Sequence, residues 1–318
     1  TSRGFVSAGR DLADIFATSS GNVDGSGTAC YLSVWSDTDT LSSSIACESA
    51  GLLTVGGALS ARNFCASDSY DNQIWGCNSF ASHVSGYRNT AIGRVTLNKN
   101  YGGDDNIAIG GYAMSSNTEG DNNTAIGYVA LECNTTGYNN VAISRQALNK
   151  NTTGAYNTAI GTAALLCNTT GVYNNAIGVE ALKCNTTGGY NNAIGSNVLD
   201  SNTTGTFNDA IGTAALHSNT EGSFNFATGY YALANNTTAS YNAAIGRQAL
   251  YTNTTGNDNT AIGQYALQYN TTGCYNTAIG HMTLHKNISG GYNFAAGQYA
   301  LCSNYGGCHN TAIGCNAL

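Results

Sequence analysis

The sequence predicts an all-β fold: a parallel β-solenoid, a β-roll or β-helix with one unit per coil and about 14–15 coils. Three observations carry this. The tripeptide Ala-Ile-Gly recurs from Ala91 and Ala108 through Ala295 to Ala312 with every step equal to 17 residues. The 318 residues include no proline, which suits a chain in which nearly every N–H enters a ladder. Charged residues make up only 9%, while Ala, Ile, Leu and Tyr return at fixed places, which separates the chain from disordered low-complexity sequence.

A unit such as Asn151 to Cys167 reads Asn-Thr-Thr-Gly-x-Tyr-Asn-x-Ala-Ile-Gly-x-x-Ala-Leu-x-x. Seventeen residues are too few for a helix pair and close to one turn of a β-helix. Each residue then lies about 4.8 Å from its counterpart one unit earlier, and like residues form columns along the axis. The Asn157 column is Asn from Asn72 and Asn89 to Asn310, and stacked amides can pass hydrogen bonds from coil to coil at a corner. The Asn151 column opens each unit. Gly154, Gly171 and Gly188 follow three residues after it, a spacing that predicts a turn with positive φ at the glycine. The columns of Leu165 and of Tyr156, Tyr173 and Tyr190 are expected to fill a narrow core.

Neighbouring strand residues face opposite ways, yet Ala159 and Ile160 are both apolar. One of the two must fill the coil and the other must meet something else. The expected interface is Ile109, Ile126, Ile160, Ile177, Ile194, Ile211, Ile245, Ile262 and Ile279, covered by an identical chain in a homotrimer around an axis parallel to the solenoid. The other reading turns these isoleucines inward.

The runs NTTGAYNTAIGTAALLC and NTTGVYNNAIGVEALKC resemble the Asn-Thr-Ala-Ile-Gly repeats of tail-fibre-like proteins of marine phages and large viruses. The Asn-x-Ala-Ile-Gly core is also similar to the head repeats of trimeric autotransporter adhesins, whose unit is shorter. The resemblance covers residues 70–318 and implies a trimeric, left-handed parallel β-roll placed outside a cell or on a virion.

Residues 1–69 stand outside the period and are expected to form a β-rich cap or assembly region. A short helix is expected over Asp11 to Phe16, strands over Cys30 to Trp35 and Leu52 to Val55, and a turn at Gly56-Gly57. LLTVGGALSA in this region is similar to shaft segments of phage fibres. The chain opens on Thr1 rather than Met, which reads as processing or a fragment. It stops at Leu318 at the end of a coil, so either more chain follows or that end docks head to tail into a filament.

A net charge of −7, with 11 Lys and Arg in no run, argues against nucleic acid as a partner. No apolar stretch reaches the roughly 18–20 residues of a membrane span. His83, His217, His281, His285 and His309 lie in no catalytic motif, and no phosphate loop or nucleophile elbow occurs, so the chain is not expected to be an enzyme. Asp104 and Asp121 stack on adjacent coils beside Asp105 and Glu119. Such like charges call for a cation, for which Ca²⁺ is suited, or else form a solvated loop edge. Asn134, Asn151, Asn168, Asn185, Asn202, Asn236, Asn253, Asn270 and Asn287 each open an Asn-x-Ser/Thr sequon, either a line of glycans or simply turn chemistry. Asn117 and Asn219 keep the asparagine but lose the sequon to Glu119 and Glu221, which favours the turn role.

The 11 cysteines include no CxxC pair and suggest an extracellular, disulfide-permissive setting or small buried hydrophobes. Cys167 and Cys184 share a column and are candidates for a disulfide, as are Cys302 and Cys308. The composite expectation is a structural subunit of an extracellular or virion fibre that partners itself. An adhesin that uses Tyr231, Tyr265 and Tyr299 to stack on surface glycans is the alternative. An ice-binding solenoid is a weaker one, because the adjacent threonines of Asn-Thr-Thr cannot share one flat face.

Overall fold

The computed structural model describes residues 70–318 other than His83, together with five short strands before them. The chain divides into two units, Thr1–Phe64 and Cys65–Leu318. In the first, β1 (Val6–Ser7) pairs antiparallel with β2 (Arg10–Asp11). Strands β3 (Ala29–Cys30), β4 (Ala46–Ser49) and β5 (Leu52–Val55) form an antiparallel sheet in that order. The strand expected at Leu52–Val55 is present; of the one expected over Cys30 to Trp35, Cys30 lies in β3, and residues 31–35 lie outside the described residues. Asp11 lies in a strand rather than opening a helix. The remainder of that stretch and the Gly56-Gly57 turn lie outside the described residues.

The second unit is a parallel β-solenoid. Fifteen strands, β6 (Gln73–Trp75) to β20 (Thr311–Ile313), stack in chain order into one parallel sheet. Each coil gives this sheet a single three-residue strand, such as β11 (Thr158–Ile160), and the next coil pairs in register, Thr158 with Asn175, Ala159 with Ala176 and Ile160 with Ile177. Thr and Ile are β-branched and fit the pleat, and the following glycine ends the strand. The register is the one the Ala-Ile-Gly spacing predicts.

The core is thin and made of columns. Ala159, Ala164 and Leu165 and their equivalents are buried, with Leu97, Leu131, Leu148 and Leu182 among the largest fully enclosed side chains. Beside them run the two asparagine columns, also without solvent exposure. Asn157 Nδ2 donates to Asn140 Oδ1 at 3.2 Å and to the Gly171 carbonyl at 2.8 Å, and its backbone N–H donates to the same Asn140 Oδ1 at 3.0 Å. Asn151 Nδ2 donates to Asn134 Oδ1 at 2.8 Å and to the Gly154 carbonyl at 2.9 Å, which closes the turn within the coil. Buried amides are tolerable here because each finds its partners in the neighbouring coil.

Outside the strand the chain turns by a device the sequence does not announce. Tyr156 (φ 57°), Ala163 (φ 58°) and Leu165 (φ 51°), with their equivalents, are left-handed although none is glycine. Each such residue costs about 1–2 kcal/mol. The turns nevertheless keep the ladder: Leu165 N–H donates to the Ala181 carbonyl at 3.0 Å and Cys167 N–H to the Lys183 carbonyl at 2.9 Å. At Ala163 glycine relieves the left-handed cost and loses only a methyl group. Ala163→Gly is therefore expected to stabilise the rod by about 0.5 kcal/mol, read as a higher denaturant midpoint.

Two glycine columns do different work. Gly161 is left-handed (φ 137°), and a side chain there would also strike the Gly178 backbone. Gly154, expected from its spacing to be left-handed, is not. It is glycine because a Cβ would press on Asn151 Oδ1 and the Gly171 carbonyl. Ala239 occupies this column in one coil and still accepts from Asn236 Nδ2 at 2.9 Å, so the crowding is a cost and not a prohibition.

Candidate interaction surface

The outer face of the sheet is the most unusual surface. In each strand from β7 (Thr90–Ile92) to β20 the central alanine points inward, and the residues on either side of it point out. The Ile160 column therefore faces solvent: Ile160 is 37% exposed and Ile211 43%, with Ile177, Ile194, Ile245, Ile262 and Ile279 between them. Ile109 and Ile126 are half-buried on the same face. The inward-turned reading of these isoleucines does not hold, because the inner side of the strand is filled by alanine and leucine.

The Tyr156 column is a second correction. Its rings are expected in the core but lie outside, since a left-handed backbone swings the side chain off the inner face. Tyr156, Tyr173, Tyr190, Phe207, Phe224 and Tyr241 form a continuous parallel stack with centroids 4.7 Å to 5.0 Å apart. Tyr275, Tyr292 and His309 repeat the arrangement. Desolvation, and then the neighbouring Tyr156 and Tyr190, push the Tyr173 phenol above its ordinary value. Ring faces in the stack cover one another, so only edges reach water.

Tyr231, Tyr265 and Tyr299, the tyrosines expected to meet glycans, are half-buried on the side of the coil that follows the strand. Tyr265 lies edge-on to His281 at 6.2 Å and carries Arg247 over its ring at 5.8 Å. His281 reaches Tyr299 at 5.5 Å. His285 Nε2 lies 2.7 Å from Gln268 Oε1, and burial holds its imidazole below the usual range. Asp258 is the one acidic residue of the sequence after Glu221, so this end is more basic than the rest. The threonines of the turn are engaged as well: Thr152 Oγ1 donates to the Thr169 carbonyl at 3.0 Å.

The sequon asparagines require a correction. Asn134, Asn151, Asn168, Asn185, Asn202, Asn236, Asn253, Asn270 and Asn287 are all 0% exposed. In each the amide nitrogen, the atom that would carry a glycan, donates one hydrogen up the column and one within its own turn, as at Asn287 (2.8 Å to Asn270 Oδ1, 2.8 Å to the Gly290 carbonyl). The folded coil leaves no room for a sugar on these nitrogens, and the turn role is the one they fill.

The disulfide pairings are not formed: Cys167, Cys184, Cys302 and Cys308 are free thiols. For Cys167 and Cys184, in-register stacking holds the Cβ atoms about one strand spacing apart and pointing the same way, wider than the roughly 3.8 Å that a disulfide needs. Burial, and then the adjacent Cys167, push the Cys184 thiol up. Cys308 Sγ instead accepts from the Gly291 N–H at 3.4 Å.

The acidic group is not assembled as a cation site. Asp104 Oδ1 accepts from the Tyr87 N–H at 2.8 Å, and Asp121 Oδ1 accepts from the Asp104 N–H at 2.8 Å, so these stacked carboxylates are held by backbone donors. Asp105 forms a two-point ion pair with Arg88 (2.7 Å and 2.6 Å), and that hydrogen bond holds its carboxyl below the usual range. Glu119 is exposed. Among the described residues no group of three His, Cys, Asp or Glu side chains is placed to hold a metal ion. His217 Nδ1 lies 2.9 Å from Asp200 Oδ1 as a surface pair. No helix among the described residues is long and apolar enough to cross a membrane.

These features define the class of the molecule as a parallel β-solenoid repeat protein. Comparison with protein-family models, curated proteins and solved structures gives no match.

Proposed function

We propose that the chain is a structural subunit, a stiff rod that associates with copies of itself along the outer face of its sheet and serves in an extracellular or virion fibre without catalysis. The observation that carries this reading is the unbroken run of outward isoleucines, each about two-fifths exposed and repeated at every coil from Ile160 to Ile211. A stripe of this length in water is an interaction surface or a solubility liability. Fourteen coils give about 65 Å of rod, a length suited to spacing one object from another. The placement outside a cell rests on the resemblance of the Asn-Thr-Ala-Ile-Gly repeats.

The test is sedimentation of the full chain beside a variant carrying Ile177→Asp and Ile194→Asp. The wild type is expected to associate at micromolar concentration. The variant is expected to stay monomeric with unchanged circular dichroism, an affinity loss on the order of a hundredfold, because each contact then buries unpaired carboxylates. A wild type that remains monomeric at all concentrations overturns the reading.

A second reading, an adhesin for acidic glycans, is favoured by Arg247, His281 and His285 set among Tyr265 and Tyr299, with Asp258 as the one carboxylate after Glu221. Binding to sulfated or uronate glycans that Arg247→Ala removes supports it, and silence on such an array removes it.

A further inference from the structure

The outer face shows a compensation between its two columns. Wherever the Ile160 column holds isoleucine, the residue two before it, in the Thr158 column, is mostly small or polar: Thr158, Asn175, Asn192, Ala243 and Thr260. The isoleucine is lost at two solenoid levels between β7 (Thr90–Ile92) and β20, where Thr228 and Ala296 stand in its place. At those two levels, and nowhere else in the column, the Thr158 position is phenylalanine: Phe226 and Phe294. Both rings are about two-fifths exposed (40% and 39%). Thr228 stands between Ile211 and Ile245, and its Oγ1 is screened from water and has no hydrogen-bond partner.

We infer that the occupant of this face is a second copy of the chain, running in the same direction and level with the first, related by a twofold axis parallel to the rod. The inference rests on the self-association proposed above and gives its geometry. Such an axis reverses the order of the columns, so that the Thr158 column of one copy lies on the Ile160 column of the other at every level. Phe226 then covers Thr228 of the partner subunit, Phe294 covers Ala296 of the partner subunit, and Thr260 lies on the partner's Ile262. Most levels then hold one large and one small or polar residue in both halves; the departures are Ile107 with Ile109 and Val141 with Ile143, where both are large, and Asp209, whose carboxylate meets Ile211.

Other arrangements leave the compensation without effect. Copies running in opposite directions lay each column on itself, so isoleucine meets isoleucine, and each phenylalanine level becomes a bump beside a gap. A threefold arrangement brings three Ile160 columns to a shared axis, where Thr228 and Ala296 would leave voids. The area is sufficient: the outward isoleucines with Phe226 and Phe294 present roughly 1,000 Å² per chain, against about 800 Å² per partner in a standard interface.

The test is photo-cross-linking of the full chain with Phe226→p-benzoyl-phenylalanine, in a mixture of that chain with ¹⁵N-labelled wild type. A two-chain mass is expected, with the probe joined to the isotopically distinct peptide that contains Thr228. Joining to any other level, or a three-chain mass, overturns the parallel twofold geometry while leaving self-association standing. A monomer at every concentration removes the self-association reading itself, which separates the two failures.

Discussion

Replacing Asn174 by alanine is expected to lower the stability of the rod by about 3–5 kcal/mol, one of the two largest single-residue effects expected here. The substitution removes four hydrogen bonds. Asn174 Nδ2 no longer reaches Asn157 Oδ1 (3.1 Å) or the Gly188 carbonyl (2.9 Å). The Asn191 N–H and Asn191 Nδ2 both lose their acceptor, Asn174 Oδ1, at 3.1 Å. Asn191 is fully buried, so its backbone donor has no water to turn to. The readout is a lower denaturant midpoint, with the earliest loss of amide exchange protection in the coils on either side of residue 174. Because coils contact only their neighbours, a defect of this kind splits the rod rather than softening it evenly. A midpoint shift below that of an ordinary surface substitution would remove the ladder from its central place in the account.

Gly178→Val is expected to cost at least about 3 kcal/mol, through two effects that add. The backbone there is left-handed (φ 137°), a region a β-branched residue avoids, and a Cβ would strike the Gly195 carbonyl group of the next coil. The column contains one natural departure, Ser144, whose φ of 113° is the smallest in the column. A small side chain is thus admitted only with a local shift of the backbone. Valine lacks that latitude, and urea denaturation of the variant beside Gly178→Ser would place serine between glycine and valine. Equal midpoints for all three would refute the crowding argument.

Much of the fold was legible because its determinants repeat. Ala159, Ile160 and Gly161 set the register, Leu165 marks the core, and the Asn157 column declares an amide ladder, whereas the Asn151 column reads only as a turn and its ladder is a structural finding. The expected interface isoleucines do lie outward. Tyr156 was misplaced because a large ring counts as apolar, while its direction depends on a left-handed backbone. The one clue was that Asp105, Asn122 and Asn139, residue types that tolerate this conformation, occupy the same column. Nothing local marks Leu165 or Ala163 as left-handed, since only closure of the whole coil requires it. Gly154 was read as a conformational glycine when its need is space, which depends on a neighbour in the next coil. The sequons were ambiguous as written, and Glu119 and Glu221 in place of threonine already pointed to the turn. The Cys167–Cys184 and cation readings take proximity in a column for convergence, whereas stacked side chains run side by side; Cys302 and Cys308 are a separate pair, within one coil. The pairing of Phe226 and Phe294 with the losses at Thr228 and Ala296 is present in the sequence but shows only when two columns are compared level by level.

The unbroken spacing of the coils has a consequence for how such a chain can change over generations. An in-frame duplication of one unit's codons inserts a coil whose asparagines, alanine and leucine find the same partners above and below as the original did. Deletion of a unit closes over in the same way. Length is therefore a heritable variable that can drift without refolding the molecule, whereas a single-codon insertion shifts every later column off its neighbours. In the proposed pair one condition is added: both chains come from the same gene, so a gain or loss of a coil reaches both at once and their levels stay matched.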